Sequence, residues 1–133
     1  MLPPKPQEQS PEVMSYQFPT SLRLRSPDEF KRIWHLGRRF SIPLLAIVAS
    51  ENALGCSRLG VSISKKNVPS AVARNRIKRL ARETFRIRQH QLGTKDLVIV
   101  GYKGIDKLRP DEQCQRFNAL WDSFIARFIP LAL

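Results

Sequence analysis

The chain has 133 residues, 42% of them apolar, with 23 Lys and Arg against 11 Asp and Glu for a net charge of +12. That length allows one domain with one core, and the apolar fraction excludes a purely basic tail. The charge points to a polyanionic partner; no apolar run approaches the ~18 residues of a membrane span, and the N-terminus lacks a signal-peptide stretch, so the cytoplasm is the expected compartment.

Segment 1–19 holds five of the ten prolines, one Lys and two Glu, a composition expected of an extended or disordered tail. Residues 20–133 are read as a single domain with 22 basic and 9 acidic residues. Ser26-Pro27-Asp28-Glu29 is a helix start, with Ser26 as N-cap, Pro27 at the first helical position and Glu29 closing a capping box. The helix is expected to run to Leu36, stop at a left-handed Gly37, and show Phe30, Ile33 and Trp34 on its apolar side. Arg39 to Ile42 is a candidate short strand. Leu44 to Ala49 is a strand rich in branched residues, with Pro43 at its start. Glu51 to Ser57 reads as a hairpin loop. Leu59, Val61 and Ile63 alternate with Gly60, Ser62 and Ser64, the period of a half-buried strand.

Ser70 is the expected N-cap of a second helix. From Arg74 to Arg88, seven of fifteen residues are basic and only Glu83 is acidic. At about 100° per residue, Arg74, Lys78, Arg79, Arg82 and Arg86 fall on one face, and Ala73, Ile77, Leu80, Ala81, Thr84 and Ile87 on the other. A solvated helix normally mixes signs. Crowded like charges weaken a helix, so this face is expected to meet phosphates, which guanidinium groups bind through paired hydrogen bonds. Leu97 to Val100 is a buried strand. A last helix starts at Pro110, with Phe117, Leu120, Trp121, Phe124, Ile125 and Phe128 as its core stripe. The sum is an α+β (α/β sandwich) fold in the order helix, three strands, basic helix, strand, helix.

No catalytic constellation is apparent. Cys56, Cys114, His35 and His90 complete no metal-ligand set, the carboxylates are not paired for metal binding, and there is no phosphate-binding glycine loop. If the chain belongs to an enzyme, its catalytic groups are expected to lie elsewhere.

The run Arg58-Leu59-Gly60-Val61-Ser62-Ile63-Ser64-Lys65-Lys66, followed by Ala71 to Phe85 with Arg74-Asn75-Arg76-Ile77-Lys78-Arg79-Leu80, closely resembles the bacterial ribonuclease P protein subunit. Leu22-Arg23-Leu24 with Phe30 resembles that family's N-terminal region, Asp96 to Tyr102 and the closing helix match in order and spacing, and Arg86 to His90 looks like the proteobacterial branch. The resemblance spans Phe18 to Phe128. It implies an endoribonuclease partnership in which a catalytic RNA, holding Mg²⁺ ions, removes the 5′ leader of precursor tRNA, with no membrane and no further protein partner. It also implies a left-handed strand–helix–strand crossover, an exception to the usual hand. Residue by residue, it implies that Arg74, Asn75, Arg76, Lys78, Arg79, Arg82 and Arg86 meet the RNA subunit. It further implies that Phe30, Trp34, Ser62 and Lys66 line a cleft for the leader. The chain departs from some members at Val48, where they carry an aromatic, and in the longer loop Asn67 to Ser70.

The alternatives are a small structural ribosomal protein and a DNA-binding module. The second is disfavoured because base reading needs side chains chosen for donor and acceptor pattern, whereas a uniformly cationic face suits phosphate contact.

Overall fold

The structure is a computed structural model that describes residues 22–24 and 26–129; the proline-rich segment 1–19 lies outside the described residues. Three helices and a four-stranded mixed sheet follow the expected order: α1 (Pro27–Leu36), β1 (Arg38–Ile42), β2 (Leu45–Glu51), β3 (Arg58–Ile63), α2 (Ala71–Arg86), β4 (Lys95–Gly101) and α3 (Pro110–Phe128). No described helix is long and apolar enough to cross a membrane.

The sheet order is β1-β2-β4-β3, with β4 antiparallel to β2 and parallel to β3. This corrects the hairpin expected at Glu51 to Ser57. The two strands it joins are not neighbours, because β4 inserts between them after the α2 crossover. Alternation in β3 and the apolar runs of β2 and β4 mark these segments as buried or half-buried strands, and do not reveal which strand lies beside which. The turn joining β1 to β2 is Pro43-Leu44, with Leu44 at φ 76°. Pro43 therefore sets a turn instead of beginning a strand, and Leu44 takes the positive-φ position that such a turn requires.

One sheet face carries the main core. Leu45, Ile47, Leu59, Leu97 and Ile99 pack there with Ile77, Ala81 and Phe85 of α2 and Phe117, Leu120, Trp121 and Phe124 of α3. Trp121 Nε1 donates to Thr84 Oγ1 at 2.8 Å, and the Phe85 and Trp121 rings lie 5.8 Å apart. The two helices thus lock together through one buried polar contact and one aromatic pair. Ile87, assigned to the buried stripe, is exposed, while Phe85 is buried. The helix ends at Arg86, so the 100° step no longer holds at Ile87.

The outer face is covered by the short α1. Its Ile33 is buried with Leu24, Ala46, Val48, Val98 and Val100. Ser26 caps the helix by accepting from Asp28 N, but Glu29 does not close a capping box. Its carboxylate instead accepts from Arg58 Nη1 at 2.9 Å. Nor is Gly37 left-handed: its φ is −81°. A Cβ there would lie 2.5 Å from Ile33 O and 2.7 Å from Val48 Cγ1, so glycine is needed for close approach to the sheet. Gly60 is similar: its Cβ would meet the Phe30 ring at 2.5 Å.

Asp96 on β4, fully buried, fastens this layer. Arg58 Nε and Nη2 donate to its two oxygens, each at 2.8 Å. Asn52 Nδ2 adds a bond at 2.8 Å and Arg32 Nη2 one at 3.3 Å. Burial pushes the Asp96 carboxyl up, but the bonds from Arg58 and Asn52 and the charges of Arg58 and Arg32 outweigh it and hold it below the ordinary value. A depressed folded value means that the stabilisation is present above the unfolded carboxyl's pKa, about 3.9, and is lost as pH falls through the folded value. Removing one partner of a buried pair leaves the others uncompensated, so Asp96→Ala is expected to lower unfolding free energy by about 3–5 kcal/mol in urea titrations at pH 7. The gap between variant and parent should close in strong acid; a pH-independent gap would contradict this account.

Candidate nucleic-acid interface

Two surfaces emerge. The first is a stripe on α2. Ser70 caps the helix by accepting from Ala73 N at 3.2 Å, and burial of Ile77, Ala81, Thr84 and Phe85 turns the basic side outward. Asn75, Arg79, Arg82 and Arg86, spaced by four, three and four, line one groove of about 410 Å³ together with Arg23 and Glu83. Arg23 comes from the segment before α1 and reaches the helix because it bridges to Leu59 on β3. A contact of that sequence separation leaves no local pattern to read. Asn75, the uncharged residue of the signature, thus lies among the arginines.

The other expected contacts divide. Arg74 Nη1 turns back to donate to Val68 O at 2.8 Å and Pro69 O at 3.0 Å, so it fixes the loop leading into the helix. Arg76 is exposed and Lys78 half-buried, and neither lines the groove. Glu83 engages Arg86 at 3.0 Å. Arg82 is pressed below its ordinary pKa first by burial and then by the charge of Arg23. Cations held this close repel one another in the free protein, and an anion in the groove relieves that repulsion.

The second surface lies beside α1. Phe30 and Trp34, one turn apart, form a shallow groove of about 300 Å³ with Lys31, His35 and Ser62. Three of the four expected cleft residues are thus brought together. Lys66 does not line this groove; it falls beyond the end of β3, in the turn before α2. Lys31 and His35 were missed although Lys31 lies three residues before Trp34 and four before His35, spacings that make neighbours on one flank of a helix. Trp34 is 48% exposed, so its ring is not part of the core. Aromatic faces flanked by cations suit stacking on unpaired bases next to phosphates.

Among the described residues no group of three His, Cys, Asp or Glu could hold a metal ion, and Cys56 and Cys114 are free thiols.

Comparison with known proteins gives a consistent result. The family model described as Ribonuclease P matches residues 18–124. The chain is 40% identical over 107 residues to the ribonuclease P protein component of Vibrio campbellii, covering 80% of this chain and 91% of that protein. It is 43% identical over 109 residues to that of Erwinia tasmaniensis, covering 82% and 92%. In fold it is similar to the Staphylococcus aureus RNase P protein, with a TM-score of 0.73 over 82% of this chain and 98% of that one, at 24% identity.

The contrast within α1 is directly measurable. Ile33→Ala, which empties a fully buried site, should cost about 2–5 kcal/mol. Trp34→Ala should change stability by less than about 1 kcal/mol, as surface positions usually do. A Trp34→Ala loss matching that of Ile33→Ala in urea unfolding would return Trp34 to the core.

Proposed function

The chain belongs to the ribonuclease P protein family, and on that premise we propose how its surfaces serve a ribonucleoprotein that trims precursor tRNA. As a ribonuclease P protein subunit it takes part in an endoribonuclease complex. The small ribosomal protein and the DNA-binding module are not favoured beside that family match.

The α2 stripe binds the RNA subunit. The observation that carries this reading is the convergence of Asn75, Arg79, Arg82, Arg86 and Arg23 on one groove whose sole carboxylate among the lining residues is Glu83. Arg76 and Lys78 add charge outside the groove, and Arg74 orders the entry loop. Phosphate contacts of this kind position an RNA without reading its sequence.

The groove of Phe30, Trp34 and Ser62 takes the single-stranded 5′ leader. Stacking is tolerant of sequence because every base has a π-face, which suits a protein that meets many precursors. Lys31 and His35 flank the strand, and Lys66 serves as a more distant cation beyond β3.

The catalytic centre and its Mg²⁺ ions are assigned to the RNA subunit, as the family resemblance implies. The protein's share is to bind, to orient and to lower repulsion between two RNAs. Membership of a bacterial ribonuclease P family is consistent with the cytoplasm, and we assign the protein to that compartment.

Reconstitution tests this reading. Protein freed of RNA by nuclease, given Mg²⁺ and precursor tRNA, is expected to leave the substrate intact, and addition of the RNA subunit should restore accurate cleavage. Leader removal by the nuclease-treated protein alone would overturn the assignment. Arg79→Ala and Arg82→Ala should each weaken RNA-subunit binding by about 1.5–3 kcal/mol, the range for hydrogen bonds to charged groups. Together they should flatten the logarithmic salt dependence by about 2, since each phosphate contact contributes about 0.9. An unchanged salt slope would argue against phosphate contact.

A further inference from the structure

The β1 edge of the sheet carries a third cationic surface, remote in the sheet from the α2 side. Arg38, Arg39 and Arg127 are all exposed and with Phe128 line an open groove of about 600 Å³. None of the three has a carboxylate partner among the described residues. Each is set against an aromatic ring: Arg38 lies 5.5 Å from the centroid of Phe128 and Arg127 5.7 Å from the same ring. Arg39 lies 5.5 Å from the centroid of Tyr102. Stacking fixes the guanidinium planes and leaves their N–H edges free to donate.

Register links this edge to the groove beside α1. Arg39 pairs with Val48, Val48 with Val98 and Val98 with Gly60, the residue beneath Phe30. The next row runs Ser41, Ala46, Val100, Ser62, from the β1 edge to the groove floor. Both rows share the outer face. Because α1 crosses from Gly60 to Val48, the second row runs along its flank, with Ser41 and Ser62 exposed at its two ends and Ala46 and Val100 buried between them. The Tyr102 hydroxyl, buried on this face, has no hydrogen-bond partner among the described residues. From β3 to β1 the two exposed ends lie about 14 Å apart, three interstrand spacings of ~4.8 Å.

We propose that Arg38, Arg39 and Arg127 form a landing site for the phosphates of the distal 5′ leader, the part of the precursor that leaves the Phe30–Trp34 groove along the flank of α1 and passes over the β1 edge. The proposal rests on the leader assignment above. Arginines can also serve only to keep an edge strand from pairing with another chain. That simpler role requires neither the aromatic stacking nor the alignment of Arg39 with the groove.

The test uses the reconstituted holoenzyme and precursors with leaders of about 4 and about 16 nucleotides, the range of site sizes for single-strand-binding domains. The parent should bind the long-leader precursor more tightly and with a steeper salt dependence. Arg38→Ala/Arg39→Ala/Arg127→Ala should remove that increment and reduce the long-leader salt slope by about 2, at about 0.7 per single-strand phosphate. Affinity for the short leader and for the RNA subunit should stay as in the parent. The matching triple Gln variant keeps side-chain bulk over the rings and should behave as the Ala variant. A retained increment overturns the proposal, as does weakened binding of the RNA subunit alone. A variant that keeps the increment but self-associates assigns the arginines to edge protection and overturns it too. Failure of the leader assignment itself shows separately, as a Trp34→Ala holoenzyme with unchanged short-leader affinity.

Discussion

The buried carboxylate of Asp96 is the contact on which the outer face depends. It sits on β4, inside the sheet, and collects Arg58 from β3, Arg32 from α1 and Asn52 from the loop after β2. Arg58 extends the network by donating to Glu29 at the start of α1. A ten-residue helix buries few apolar side chains; of α1, only Ile33 is buried. Apolar packing alone would hold such a helix weakly, since isolated helices of this length are marginal. The ion network fixes one end and one orientation of α1, so the rings of Phe30 and Trp34 stand beside the sheet and not over its centre. Buried ion pairs often add little net stability over an apolar packing of similar volume. Here the network sets geometry, and the exposed groove exists because α1 covers only part of the face.

The two sheet faces are therefore unequal by construction. The inner face is closed by α2 and α3 with continuous apolar packing, while the outer face is left partly open. Closing the inner face also fixes the outward side of α2. Ile77, Ala81 and Phe85 are fully buried, so the stripe through Asn75, Arg79, Arg82 and Arg86 faces solvent. Charge repulsion along that stripe is tolerated because the buried side anchors the helix. Folding stability and the proposed RNA contact thus draw on opposite sides of the same sixteen residues.

Much of this was legible in the sequence. The periodicity of α2 and α3, the caps at Ser26 and Ser70 and the alternation in β3 reflect local spacing, and local spacing is what a sequence displays. The basic stripe was visible for the same reason. What was hidden depends on contacts between distant segments. The insertion of β4 between β2 and β3, the arrival of Arg23 beside α2 and the gathering of three side chains on Asp96 depend on such contacts, and in the last case the residues are 38 to 64 positions apart. Glu29 looked like a capping residue because its position fits one, and Gly37 looked like a helix stop because glycine commonly is one. In both cases a tertiary partner, Arg58 or the Val48 side chain, claimed the residue. Lys66 was grouped with Ser62 through the family resemblance, but the strand ends between them and the chain turns before α2.

The division of labour between the two grooves is open to one direct measurement. In the reconstituted holoenzyme, the ratio of precursor to mature tRNA affinity reads the leader contact, because mature tRNA lacks the leader. Phe30→Ala/Trp34→Ala should lower that ratio by about 1–3 kcal/mol per lost stacked base while RNA-subunit affinity and the affinity for mature tRNA remain as in the parent. A ratio unchanged by the double substitution, with the protein still folded, would contradict the account.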